Sequence, residues 1–432
     1  MKSIWESTAE LPSFPKIQKD YDTDVLIIGG GLCGILCAYE LQKRGINYML
    51  AEADKICKKT TANTTAKISS LHGVIYSKLI KDFGREKALL YYQANEEAIR
   101  EYEMLCKDID CDFKKTSAYA FTQNNKERIL KEYSAMCDLG IDVTLEHSLN
   151  IPVDTLCGIR LDNQAEFNPL KLISVISRDL NIYESSRVSE LIGTVAIVNG
   201  HIINAKRIIV ATHFPFLNKH GLYFLKMYQH RSYAIAIKTA IKIDGIYIDD
   251  TEEGLSLRSY GEYVIIVGQG HRTGKGSLGW KGLEDIARKY FPGNKVVYRW
   301  ATQDCMTLDG VPYIGEYSKG TDNLYVATGF NKWGITSSMI ASKLLCDLLT
   351  GKENKYKELF NPSRSILKRQ LAVNLWESLV GFFTFNKKRC PHLGCKLKWN
   401  KQEHTWDCPC HGSRFSKGGH LLDGPANKDL NN

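Results

Sequence analysis

The sequence predicts an α/β fold combined with an antiparallel β-sheet and followed by a small, separate C-terminal module. Three features carry that expectation. Residues 24–54 run from a continuous apolar strand, DVLIIG, through a glycine turn and a helical stretch stopped at Gly45 to a second strand ending at Glu52. That is the order of a parallel strand–helix–strand unit. Residues 231–243, 246–249 and 262–268 instead alternate β-branched side chains with others, the period-two pattern of an antiparallel sheet. Four cysteines and three histidines then crowd into residues 390–411, a density that points to a metal site.

Composition sets limits. With 432 residues, 44% hydrophobic and 24% charged, the chain is long enough for two or three domains. Disorder, collagen-like repeats and a coiled-coil rod are excluded. No apolar run reaches the roughly 18 residues of a membrane span. The polar N-terminal stretch lacks the apolar core of a signal peptide, so a cytoplasmic location without a transmembrane segment is expected. The net charge of +9 is concentrated in residues 352–389, with nine Lys/Arg against three Asp/Glu. A solvated linker accounts for that run first and a basic binding surface second; no nucleic-acid partner is expected. Nine of the thirteen cysteines are scattered over residues 33–346 and read as small core residues.

Along the chain, residues 85–110 read as an amphipathic helix and 167–180 as a further helix. Residues 201–212 form a strand, and 323–351 run from strand through glycine turn to long helix. Residues 367–385 place Leu367, Leu371, Leu375, Leu379 and Phe382/Phe383 on one helical face.

Gly29, Gly31 and Gly34 fit G-x-G-x-x-G between that first strand and helix. The first allows the tight turn, the second lets backbone approach a pyrophosphate, and the third lets helix and strand pack closely. Glu52, 18 residues beyond Gly34 at a strand end, can accept the hydroxyls of an adenosine ribose. This is a dinucleotide site. The last strand–helix unit lies some 300 residues later and puts Gly329 and Gly334 ahead of a long helix, which favours FAD over NAD.

The first unit, the ATH turn at 211–213, TLDGVPYIG at 307–315 and the terminal ATGF…G together resemble the FAD-dependent amino acid/amine oxidoreductases, whose members include D-amino acid oxidase and glycine oxidase. The resemblance implies a Rossmann-like FAD-binding domain (1–81, 151–224 and 310–350) with an interleaved substrate domain (82–150 and 225–309). It implies hydride transfer to flavin from a C–H beside nitrogen. Gly29, Gly31, Gly34 and Glu52 would hold the ADP half, Thr64, Thr65 and Lys67 would form the next FAD-binding loop, Val188 would meet the adenine, and Gly329 to Gly334 would line the flavin. Where many relatives carry an arginine for a substrate carboxylate, this chain has Asp304, which suits a cationic amine. Otherwise Arg231, Arg258 or Arg299 takes the arginine's place. His271 in GQGHRTG is a further catalytic candidate, and Cys305 lies near the position of a covalent flavin tether in some relatives, with a different offset.

The tail, from 390 to 432 after a basic amphipathic linker (351–389), reads Cys390-x-His392, fifteen residues, Cys408-x-x-His411. Thiolates and imidazoles at this spacing suit iron with sulfide or tetrahedral zinc. Both loops are similar to the Rieske [2Fe–2S] family. That resemblance assigns Cys390 and Cys408 to one iron, His392 and His411 to the other, and Cys395 and Cys410 to a possible inter-loop disulfide. It matches GPA (424–426) to the third cluster loop and Ser413 to a donor toward the cluster. Phe415 replaces the tyrosine of high-potential members, so a potential in the lower or middle part of about −150 to +300 mV is expected. At 43 residues the tail is short for independent folding and is expected to dock on the flavin domains.

A flavin–cluster chain splits a two-electron oxidation into single electrons. The sequence therefore predicts an FAD-dependent oxidoreductase that oxidises an amine-type small molecule and delivers electrons through the cluster to a protein or quinone acceptor. The alternative is an electron-transfer protein that relays electrons between partners without such a substrate, or a reductase running in reverse. A zinc-stapled flavoprotein that binds RNA through the linker is a weaker third reading.

Overall fold

The computed structural model describes residues 2–217, 220–366, 370–374 and 388–430. Two large sheets and one small one organise them. The first sheet has a parallel heart of Leu324–Thr328, His201–Val210, Tyr21–Ile28, Tyr48–Ala51 and Ile182–Tyr183. The second half of its central strand, residues 25–28, is wholly apolar because both faces are covered there. Val25 and Ile27 meet the helices Leu32–Lys43 and Gly334–Leu349, while Leu26 and Ile28 meet Ala196, Val198 and Tyr223 on the other side.

The second sheet has nine strands, ordered Lys295–Thr307, Met227–Lys238, Tyr263–Arg272, Ser256–Tyr260, Ile246–Asp249, Lys114–Thr122, Cys157–Glu166 and Lys67–Ile68, with Thr144–Glu146 beside Cys157–Glu166. Its pairings are antiparallel except between Ile246–Asp249 and Lys114–Thr122. Cys157–Glu166 therefore lies in this sheet, not in the first one as the 151–224 boundary would have it, and Lys67–Ile68 joins it there. The strand carries Arg160, Asp162 and Asn163 toward solvent, so it lacks the continuous apolar run by which a strand of the parallel sheet is read.

Residues 351–366 also depart from a solvated linker. Tyr356, Leu359 and Phe360 are buried in the main core, and Arg364 holds Asp309 through two hydrogen bonds of 2.7 and 2.9 Å. Residues 370–374 are helical. The rest of the expected amphipathic stripe (Leu367, Leu375, Leu379, Phe382 and Phe383) lies outside the described residues. Among the described residues no helix is long and apolar enough to cross a membrane.

The C-terminal module is a four-stranded antiparallel sheet, Lys398–Asn400, Thr405–Asp407, Arg414–Ser416 and Leu421–Asp423. It docks, as its size led us to expect, on the strands Met227–Lys238 and Lys295–Thr307. Arg231 Nε donates to Glu403 Oε1 at 2.8 Å, Gln229 Nε2 donates to Gly424 O at 2.9 Å, and Gln303 Nε2 donates to Gly412 O at 2.9 Å. Within the module Arg414 bonds Asp407, Asp423 and Thr405 at 3.1 Å each and pairs with Glu403 at 2.8 Å. Truncating one member of a buried pair leaves the other uncompensated. Arg231→Ala is expected to weaken module docking by about 3 kcal/mol, the low end of the range for such pairs because Glu403 keeps Arg414. Arg231→Met combined with Glu403→Met should recover part of that loss. Chemical denaturation followed by visible circular dichroism of the module checks both.

Candidate functional site

The strand Tyr21–Ile28 stops at Gly29, whose φ is +111° and where a Cβ would stand 2.6 Å from Ala211 O. Gly34 is tighter still, since a Cβ there would come 1.9 Å from Gly29 O. Gly31 differs: a Cβ would meet only Thr61 Oγ1, at 3.4 Å, and its other side opens on a cavity of about 1350 Å³. That opening is the approach a pyrophosphate needs. The helix Leu32–Lys43 starts there without a side-chain cap of its own, and Leu32 N donates to Thr61 Oγ1 at 3.0 Å. Glu52 accepts from Gly30 N at 2.6 Å and from Asp54 N at 2.9 Å, so its carboxylate is fixed at the cavity wall. Thr64, Thr65, Lys67, Val188, Gly329 and Gly334 also line the cavity, whereas Gly34 packs behind it.

At the far end the loop 329–334 is pinned by Asn331, which accepts from Thr307 N at 2.8 Å and donates to Gly329 O at 2.7 Å. Asn331 and Lys332 both take left-handed backbone, with φ of 51° and 71°, a conformation uncommon for a lysine and held here by its neighbours. Lys332 thereby enters the cavity beside Asp304, and burial lowers its pKa. Burial lifts Asp304 to about 6, against the pull of Lys332 and Arg231. His230 stands opposite Asp304 in the strand register; neither of its ring nitrogens has a hydrogen-bond partner, and burial drives it down to about 2. Lys67 falls to about 7, through burial and then the nearby Arg258 and Lys332.

Of the three catalytic candidates, only Asp304 lines the cavity. Arg231 lies on the opposite face of the sheet and is committed to Glu403. His271 is likewise away from the cavity, stacked on Tyr233 with ring centroids 5.8 Å apart and Nδ1 against Gln269 O at 3.2 Å. The alternative arginines do not replace them: Arg258 pairs with Glu166 at 2.9 Å and Arg299 with Glu284 at 2.6 Å. Cys305 points into the core behind the first sheet. Sequence reasoning missed His230, Lys332 and His72. His72 stacks on Trp333 at 4.2 Å, its Nδ1 lies 2.7 Å from Tyr91 Oη and its Nε2 2.7 Å from Ser69 O. The register partner of Asp304 and the position inside the glycine loop were the signals for the first two.

The cysteine/histidine loops are two matching turns. Gly394 N donates to Cys390 O and Gly412 N to Cys408 O, each at 2.9 Å. The turns bring the His392 and His411 rings to 5.0 Å, edge to face, beneath Phe224. Cys390 and Cys408 are buried, as is His411, whose Nδ1 has no hydrogen-bond partner. Burial lowers both imidazoles to about 4, which keeps them in the neutral form a metal binds. Cys395, Cys408 and Cys410 place their sulfurs within 4.8 Å of one another, and no disulfide joins Cys395 to Cys410 in this structure. Ser413 Oγ accepts from Ala426 N at 3.0 Å, which leaves its proton for the cysteine sulfurs.

Residues 24–348 match the profile of the FAD dependent oxidoreductase family, and residues 361–432 match the Rieske [2Fe–2S] domain. The chain is 36% identical to YhfW of Bacillus subtilis (strain 168), named as a Rieske 2Fe–2S iron–sulfur protein, across 99% of this chain and 97% of that one. Over 41 residues it is 46% identical to the cytochrome b6-f complex iron–sulfur subunit of Synechococcus sp. (strain JA-3-3Ab), covering 10% of this chain and 24% of that one. Among solved structures, glycine oxidase from Geobacillus kaustophilus superposes with a TM-score of 0.68 at 17% identity, over 80% of this chain and 99% of that one. L-proline dehydrogenase from P. horikoshii gives 0.66 at 15%, over 80% and 98%. At those identities the superpositions speak for the fold.

The residues present fit both groups. Gly31 leaves open the side a cofactor backbone would take, and two thiols with two neutral imidazoles form the mixed donor set of a Rieske centre. Ser413→Ala is expected to lower the cluster potential. One hydrogen bond is worth about 0.5–1.5 kcal/mol, which for one electron is roughly 20–60 mV. A redox titration followed by electron paramagnetic resonance measures it.

Proposed function

Because the chain belongs to the FAD-dependent oxidoreductase family and carries a Rieske [2Fe–2S] domain, we propose that it oxidises an amine-type small molecule and passes the electrons singly to a protein or quinone acceptor. When bound, FAD accepts an electron pair as hydride and the cluster carries one electron at a time.

The observation that carries the amine is Asp304. Its carboxyl reaches the cavity at the end where the loop 329–334 would meet a flavin, while Arg231, which also attracts it, leaves the other face of the sheet toward Glu403. An anion there selects a cation and repels a carboxylate. His230, held neutral by burial and standing opposite, does not compete for the ammonium. Tyr228, Ser232 and Met306 complete that wall with Thr302. Trp333, held flat by His72, bounds the pocket on the side of the helix Gly334–Leu349.

The sign of the pH dependence follows from Asp304. Above about pH 6 the carboxyl is ionised and holds an ammonium; below it the group is neutral and the attraction is lost. A non-oxidisable alkylammonium titrated into the holoprotein, read by the flavin spectrum, should bind about tenfold more weakly per pH unit below 6. Asp304→Asn should remove that limb and weaken binding at pH 8. Under anaerobic conditions an oxidisable amine should bleach the flavin before the cluster is reduced. A panel of amines that leaves the flavin oxidised, while a donor protein reduces it, would overturn the reading in favour of an electron relay.

A further inference from the structure

The flavin domains alone do not close the cavity. Between Lys59 and Phe216 its wall is formed by the module, through Leu421, Leu422, Gly424, Pro425, Asn427 and Lys428. Two hydrogen bonds hold that wall. Lys59 Nζ donates to Leu422 O at 2.8 Å, and Asn427 Nδ2 donates to Phe216 O at 3.3 Å. Both anchors belong to the cofactor side. Lys59 lies two residues before Thr61, whose hydroxyl receives Leu32 N at the start of the glycine-loop helix. Phe216 follows the turn after His201–Val210, where Thr212 and His213 also face the cavity.

The same segment is bound to the cluster loops. Ala426 N donates to Ser413 Oγ at 3.0 Å, and Cys408 N donates to Ser413 O at 2.8 Å. Gly424 O takes Gln229 Nε2, which ties the segment to the shared sheet. Residues 421–428 thus touch the flavin cavity on one side and a cluster loop on the other. Their place is set by these few hydrogen bonds and by the strand and cluster loops they adjoin. The core of the module is Cys390, Cys395, Leu397, Cys408, Cys410, Phe415 and Ala426, mostly cysteine. A module this small needs a metal or a neighbour to hold its fold.

Lys428 sharpens the point. It lines the cavity and makes no hydrogen bond or ion pair among the described residues. Lys55 and Lys58 on the same side are engaged with Glu184 and Asp54.

We propose that the FAD site is composite: the cluster-bearing module supplies one of its walls, with Lys428 as a cation for the anionic half of the cofactor, so that flavin affinity depends on the cluster. Coupling of this kind is reciprocal in free energy, so bound FAD tightens the hold on iron by the same factor. The proposal is independent of the substrate. It is tested on the full chain by titrating FAD into flavin-stripped protein and reading flavin fluorescence quenching. Cys408→Ser, which removes the cluster, should weaken FAD binding at least tenfold. Asn427→Ala combined with Lys428→Ala should weaken it about threefold while the cluster's visible spectrum stays that of the wild type. The second protein separates loss of the wall from general misfolding. FAD affinity within twofold of wild type in either protein overturns the proposal.

Discussion

The strict two-residue period of a β-strand governs how the two redox sites share one chain. Met227–Lys238 and Lys295–Thr307 pair along nearly their whole length, with His230 opposite Asp304 and Arg231 opposite Gln303. Alternate side chains must leave opposite faces. Tyr228, His230, Ser232, Thr302, Asp304 and Met306 therefore face the cavity, while Gln229, Arg231 and Gln303 face the module. One sheet lies between the Asp304 end of the cavity and the two cysteine/histidine loops, and layers packed on a sheet lie about 10 Å away. A slip of one residue would send Arg231 into the cavity and Asp304 beneath the module. The register of these two strands is thus a constraint on both sites at once.

Much of this was legible in the amino-acid sequence, and the reasons differ from part to part. The glycine loop and the cysteine/histidine loops are local: the residues of each loop lie within a few positions of one another, and the residues around the ligands add the choice of iron–sulfur over zinc that spacing leaves open. Asp304 was legible only through its place ahead of the TLDG segment. Arg231 and His271 were misread because charge and imidazole in a β-rich segment say nothing about which face of the sheet they leave. Arg231 belongs to an interface whose other half, Glu403, stands 172 residues later. Lys332 was hidden by its own neighbours, since a lysine between two glycines reads as loop until Asn331 fixes its backbone. The linker was misjudged for a related reason. Its basic composition is real, but Leu359, Phe360 and the Arg364–Asp309 pair bind its first part into the core.

The two faces of the shared sheet treat charge in opposite ways, and the contrast is informative. Toward the module each buried charge is matched: Arg231 by Glu403, and Arg414 by Glu403, Asp407 and Asp423. Such pairs gain little net stability over apolar packing, but they penalise any misaligned seating, because a shifted module leaves an ion uncompensated in low dielectric. Toward the cavity the matching is incomplete: Asp304 and Lys332 attract one another, yet burial still raises the first to about 6 and lowers the second, and neither ring nitrogen of His230 has a hydrogen bond. Unpaired polar groups in a shielded place cost free energy that folding alone does not return. A fold that matches every charge on one side of two strands has the means to match them on the other. Leaving the match incomplete on the cavity side makes sense where something that enters the cavity completes it. The matched face fixes where the module sits, and the other face presents charge to the cavity.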